Sequence, residues 1–128
     1  KPCATPRSCY NSGVMGLDAY GKVKSPEGEV TEIAYWRKHN ALHGWMEKLY
    51  RKKGGTEQFN CVPVELNEID LELLELVMSH SLLPETEGFF FGGDTRFCEH
   101  YQAQTVEFIR VAREYLAKGY KVAYDSWW

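Results

Sequence analysis

Residues 31–55 read TEIAYWRKHNALHGWMEKLYRKKGG, and the secondary structure assigned to this stretch decides the architecture of the chain. At a helical turn of about 100° per residue, Tyr35, Trp36, His39, Leu42, His43, Met46, Leu49 and Tyr50 fall within one arc. Arg37, Asn40, Ala41, Gly44 and Lys48 fall on the other side. Thr31 can cap a helix at its start, and Gly54-Gly55 can stop it. The expectation is one long helix over 32–53, its aromatic arc facing the core.

Outward from this stretch the chain alternates strand and helix signals. Upstream, KPCATPRSCYNSGV at 1–14 has two prolines and little apolar pattern, and reads as a poorly ordered arm. VMGLDAYGKVK at 14–24 offers a short strand, and SPEGE at 25–29 is turn chemistry. Downstream, FNCVPVEL at 59–66 reads as an edge strand, because Pro63 cannot donate to a ladder. Asn67 should cap a helix over 68–81 with Ile69, Leu73, Leu76, Val77 and His80 inward, ended by Leu82-Leu83-Pro84. GFFFGG at 88–93 reads as a strand and Asp94-Thr95 as a turn. A helix over 99–118 should bury Tyr101, Thr105, Phe108, Ile109, Ala112 and Leu116, with Gly119 at its C′ position and a last strand over 120–128. The implied fold is α+β: three helices packed on one face of a small, mainly antiparallel sheet, formed by a single domain over 15–128.

Composition narrows the function classes. A chain of 128 residues with 44% hydrophobic content can build one core. A net charge of −3 gives the whole molecule no electrostatic reason to coat nucleic acid or an anionic membrane. The charge is unevenly spread: residues 31–55 carry six Lys/Arg against Glu32 and Glu47, whereas 56–99 carry ten Asp/Glu against Arg96 alone. Cys3, Cys9, Cys61 and Cys98 form no C-x-x-C pair and read as reduced thiols, placing the protein in a host-cell cytoplasm. No apolar run approaches the roughly 20 residues that span a bilayer.

Four blocks occur in an order and spacing that resemble a family of small uncharacterised proteins of bacteriophages and prophages. They are MGLDAY at 15–20, TEIAYWRKHNALHGW at 31–45, SLLPETEGFFFGG at 81–93 and YDSWW at 124–128. The resemblance implies a viral or mobile-element context, with Met15 as the start and 1–14 as an extension; it implies no reaction. Where that family continues with acidic and tyrosine residues after its GFFFG block, this chain reads GDTRFCEHY.

The candidate site is the cluster around Arg37. Arg37 and Lys38 can neutralise a phosphate, Trp36 or Trp45 can stack a base, and Asn40 or His43 can fix its orientation. On the plainer reading Trp36 and His43 are core, Arg37 pairs with an acid of 65–75 and Lys38 is solvated. His39 and His43, with Cys98 or His100, have the spacing of a weak zinc motif, but two histidines in an aromatic stripe are more often hydrogen-bonded core residues, so no metal is assigned. No G-x-S-x-G, H-E-x-x-H or Cys/His nucleophile pairing is present, so no catalytic residue is nominated and no cofactor is implied. Phe90, Trp127 and Trp128 are candidates for a contact between copies in a homo-oligomer. The expected function is non-catalytic: sequestration of a small phosphorylated nucleotide, such as a host anti-phage immune signal. The alternatives are a host-protein-binding modulator that uses an acidic and aromatic surface and, third, a nucleotide hydrolase.

Overall fold

The computed structural model describes residues 17–80, 82–83 and 99–128. The arm expected over 1–14, the strand expected over 88–93 and Phe90 lie outside them. In chain order the described elements are β1 (Asp18–Lys24), β2 (Val30–Arg37), α1 (Asn40–Lys52), β3 (Val64–Leu66), α2 (Glu68–Ser79), α3 (Glu99–Ala117) and β4 (Lys121–Trp127). The strands form one sheet in the order β2-β1-β4-β3, and every described pairing is antiparallel. This is the expected α+β class, with three helices on a four-stranded antiparallel sheet.

The deciding stretch divides differently from the helical reading. Residues 30–37 are a strand, and the helix begins only at Asn40. Val30, Thr31, Ile33, Tyr35 and Trp36 are β-branched or aromatic, the residues that fit a pleated surface. They also follow a closed turn: Ser25 N–H donates to Glu29 O at 2.8 Å, and Glu29 N–H donates to Ser25 Oγ at 2.9 Å. Gly28 sits at φ 99° inside that turn, a conformation open to glycine. The turn thus sets β2 antiparallel to β1. Lys38, at φ 60°, makes the corner into α1, and its N–H donates to Leu17 O at 2.7 Å.

Two helix faces also depart from expectation. Around the start of α1, Asn40, Ala41 and Gly44 are buried along with Leu42 and His43, so the side expected to face solvent is enclosed too. On α2 the Asn67 cap forms as expected, with Asp70 N–H donating to Asn67 Oδ1 at 2.8 Å and Asn67 N–H to Asp70 Oδ2 at 3.0 Å. Yet the buried residues are Asp70, Leu71, Leu74 and Met78, while Ile69, Leu73 and Leu76 are 66%, 42% and 55% exposed. The helix has apolar residues on two sides, and Lys53 lies on the buried one: its ammonium binds Asp70 Oδ2 and Glu65 O, each at 2.6 Å. By contrast α3 buries Thr105, Phe108, Ile109 and Ala112 as its periodicity dictates, and Gly119 at φ 88° follows its end.

The described helices pack on one side of the sheet, toward which Ala19, Val23, Trp36, Val64, Leu66, Val122 and Tyr124 turn. Trp36 meets Phe108 edge-on at a centroid distance of 5.1 Å. Burying rings of this size contributes about 1.5–3 kcal/mol each. Cys61 is disulfide-bonded, which corrects the reading of four reduced thiols. A bond between cysteines far apart in sequence leaves no local motif to read. Among the described residues no helix is long and apolar enough to cross a membrane.

At Gly21 the sheet and α3 approach closely, since a Cβ placed there would collide with Phe108 Cε1 and fall 2.7 Å from Cδ1. Gly21→Ala should therefore destabilise the fold by about 1–3 kcal/mol, as overpacking does, read as a lower urea midpoint with unchanged slope. An unaltered midpoint would show that the α3 contact is looser than the structure has it.

Candidate functional site

With the helices on one side, the opposite face of the sheet carries cross-strand rows of polar and aromatic residues. Arg37, Asp18 and Trp127 form the first row and Tyr35, Tyr20 and Asp125 the second. A bulge between Gly21 and Lys22 lets Ile33 drop out of register, so that Glu32, Lys22 and Ala123 form the third row, with Glu65 beyond Ala123 on β3. Val30, Lys24 and Lys121 form the fourth.

The upper rows are tied by charge-assisted bonds. Tyr35 Oη donates to Asp18 Oδ1 at 2.6 Å, and Arg37 Nη1 lies 3.8 Å from the same oxygen. Burial first, and then the hydrogen bond and charge of Asp18, push the Tyr35 phenol up to about 12 against the pull of Arg37. Tyr35 thus stays a donor at neutral pH. Its ring lies 5.5 Å from that of Tyr20, tilted by 39°. Lys22 Nζ stands 5.4 Å from the Tyr20 ring centroid and 3.2 Å from Asp125 Oδ2.

The lower rows border a recess of about 540 Å³ lined by Lys22, Lys24, Val30, Glu65, Lys121 and Asp125, among others. That volume lies in the range of small-molecule pockets. Lys24 and Lys121 face one another directly across β1 and β4. Like charges so placed oppose pairing of the strands, and among the described residues neither ammonium has an ion-pair partner.

The residues singled out in the sequence do not converge on one site. Trp36 is fully buried on the inner face, its Nε1 donating to Thr105 Oγ1 at 3.1 Å, so it has no surface on which a base could stack. Arg37 is on the outer face, half-exposed, and Lys38 follows it at the corner. Asn40 and His43 are buried at the start of α1. Trp45 packs in a groove with Leu49, Leu73 and Val77, away from both cations. Trp127 lies on the outer face beside Asp18, whereas Trp128 is pinned by Asn60. Its N–H donates to Asn60 Oδ1 at 3.0 Å, Asn60 Nδ2 donates to its carbonyl at 2.9 Å, and its indole N–H reaches Phe59 O at 2.8 Å.

Sequence reasoning missed Tyr20, Lys22, Lys24 and Lys121. The available signal was the two-residue alternation of DAYGKVK and KVAYDSW, which places every second residue on the face away from Val23, Val122 and Tyr124.

The histidines behave as core. His39 stacks on Tyr101 at 4.5 Å, whereas His43 Nδ1 shares a 3.0 Å hydrogen bond with Tyr124 Oη among Phe59 and Trp128. The two rings thus pack against different neighbours. Among the described residues no group of three or more His, Cys, Asp or Glu is arranged to hold a metal ion. Set against known protein families, curated proteins and solved structures, the chain matches none of them.

Burial lowers His39 to about 3 and His43 to about 4. Both imidazoles are neutral in the fold and take up a proton more readily once unfolded. Their contribution to stability is therefore complete above the unfolded value of about 6.5 and is lost as pH falls toward 4, on the order of 1 kcal/mol per histidine per pH unit. Urea unfolding should show this slope between pH 6.5 and 4, and His43→Gln should remove part of it. A flat profile across that window would mean that the rings protonate in the native state.

Proposed function

We propose that the chain is a non-catalytic binding domain that captures a small phosphorylated nucleotide on the sheet face opposite its described helices. The observation that carries this reading is the pair Lys24 and Lys121, opposed across two strands at the edge of a recess of about 540 Å³. Three lysines border that recess against Glu65 and Asp125. A phosphate bridging Lys24 and Lys121 turns a repulsion into two charge-assisted contacts. The Tyr20 and Tyr35 rings, one row beyond Lys22, offer a surface on which a base can lie. The phosphate role thus passes from Arg37 and Lys38 to the lysines, because Arg37 already faces Asp18. The stacking role passes from Trp36 and Trp45 to the tyrosines.

Capture without turnover fits the residue types present. Among the described residues the rows of this face contain no serine, cysteine or histidine, Asp18 and Asp125 are engaged by Tyr35, Arg37 and Lys22, and the Tyr35 phenol remains protonated at neutral pH. The resemblance of four blocks to a phage family supports a host signalling nucleotide as the ligand.

A thermal-shift series with mononucleotides, cyclic dinucleotides and inorganic phosphate tests the reading. A ligand at a hundredfold excess over its Kd should stabilise the fold by about 2.7 kcal/mol, a rise of several degrees for a domain this size. Lys24→Gln combined with Lys121→Gln should abolish the rise while leaving the ligand-free midpoint unchanged or slightly higher. Arg37→Ala, two rows beyond Lys22, should keep it. The reading fails if no nucleotide moves the wild-type midpoint, or if the rise survives loss of both lysines.

A further inference from the structure

The exposed side of α2 is anomalous for a helix in a small domain. Ile69, Leu73 and Leu76 follow the i, i+4, i+7 spacing of a buried stripe, yet they are 66%, 42% and 55% exposed. Together they expose on the order of a few hundred Å² of apolar surface, the size of patch that marks an interaction site. Beside the stripe, between α2 and α1, runs a groove of about 230 Å³ lined by Trp45, Lys48, Leu49, Lys52, Leu73 and Val77.

The two edges of this strip carry opposite charge. Around the helix, Glu68 and Glu72 fall on the side of the stripe away from α1, where both are exposed. Lys48 and Lys52 stand on the other side, at the groove. None of these four residues has an ion-pair partner among the described residues. By contrast Glu75, farther round the helix, is held by Arg113 at 3.0 Å.

We propose that this strip is the contact between two copies of the chain, related by a twofold axis running along α2. A rotation about an axis lying in the contact plane and parallel to the helix exchanges the two edges. The glutamates of one copy then face the lysines of the other on both sides, and the apolar stripes meet at the centre. An axis across the helix would set glutamate against glutamate and lysine against lysine. Charge therefore selects one of the two symmetric arrangements, and each copy supplies the same surface, as a twofold contact requires.

Sedimentation of the whole chain from low to high micromolar concentration tests this. The wild type should associate to a dimer, and Leu73→Glu, at an exposed position, should be monomeric with an unchanged helix spectrum. Glu68→Lys with Glu72→Lys makes both edges positive, and Lys48→Glu with Lys52→Glu makes both negative. Each double variant alone should associate at least roughly tenfold more weakly, and an equimolar mixture should form a heterodimer. A monomeric wild type, a dimer indifferent to Leu73→Glu, or reversed variants that fail to pair with one another would each overturn the proposal. A monomer that binds a different protein through this strip would overturn it as well.

Discussion

A tryptophan stripped of water needs an acceptor for its N–H and rings against its faces, and Trp36 finds both on the helix side of the sheet. Thr105 accepts from Nε1 at 3.1 Å while its own hydroxyl donates to Tyr101 O at 2.9 Å. Phe108 meets the indole edge-on, and the ring of Tyr124, on β4, lies 6.0 Å from it. Leaving the indole N–H without an acceptor would cost about 1–3 kcal/mol, comparable to the gain from burying a large side chain. Ring burial brings α3 to the sheet, and the hydrogen bond sets which turn of α3 lies over β2. Gly21 on β1 leaves space for Phe108, so the helix also lies against the central strand. Because α3 and its described neighbours are committed to this side, the rows through Tyr20 and Lys22 lie on the face opposite the described helices.

The polar groups on the two sides of the sheet serve different ends. Inside, the His43–Tyr124 pair is stripped of water, which drives the imidazole down and the phenol up so that both are neutral. Such a pair specifies packing and has little capacity to exchange protons with a ligand. Outside, the Lys22–Asp125 bridge is partly exposed, and bridges of that kind contribute at most about 1 kcal/mol. Repulsion between Lys24 and Lys121 is screened in the same way. The charge layout of the outer face thus weighs little in folding and much more in what the face attracts. The same reasoning separates Asp70 from the other acids: a cap, a lysine and a helix start meet on one buried carboxylate, so its charge is structural.

Much of the fold was legible because several elements carry redundant signals. Asn67 with Asp70, the 99–118 periodicity and Gly119 each name one structure, and all three hold. The stretch 31–55 was misread because Trp36 points inward on either a strand or a helix, so the strongest apolar residue could not discriminate. Tyr35 was the informative neighbour: a helix would place it beside Trp36, whereas a strand places it opposite. That single difference moves the candidate aromatic surface from one side of the sheet to the other. For α2 the ambiguity was of another kind. Leu71, Leu74 and Met78 form one stripe and Ile69, Leu73 and Leu76 a second, and the first is the side on which Lys53, from the end of α1, binds Asp70.

The two surfaces proposed as functional are built from different layers of the molecule. The lysine recess and tyrosine pair lie on the outer face of the sheet, and the α2 strip is on the helix layer that covers the inner face. A dimer formed through α2 would leave both sheet faces open, each able to hold its own ligand. A close-packed core lies between strip and face, and no described residue lines both the sheet recess and the α1–α2 groove. Association through α2 would therefore give a small nucleotide no new contact and leave its affinity for each chain unchanged. Its consequence is valency: two faces on one particle act together only on a ligand that spans both, where the second contact becomes intramolecular. For a monomeric nucleotide such a dimer would hold two, and the proposed capture capacity per chain would be the same as that of the isolated domain.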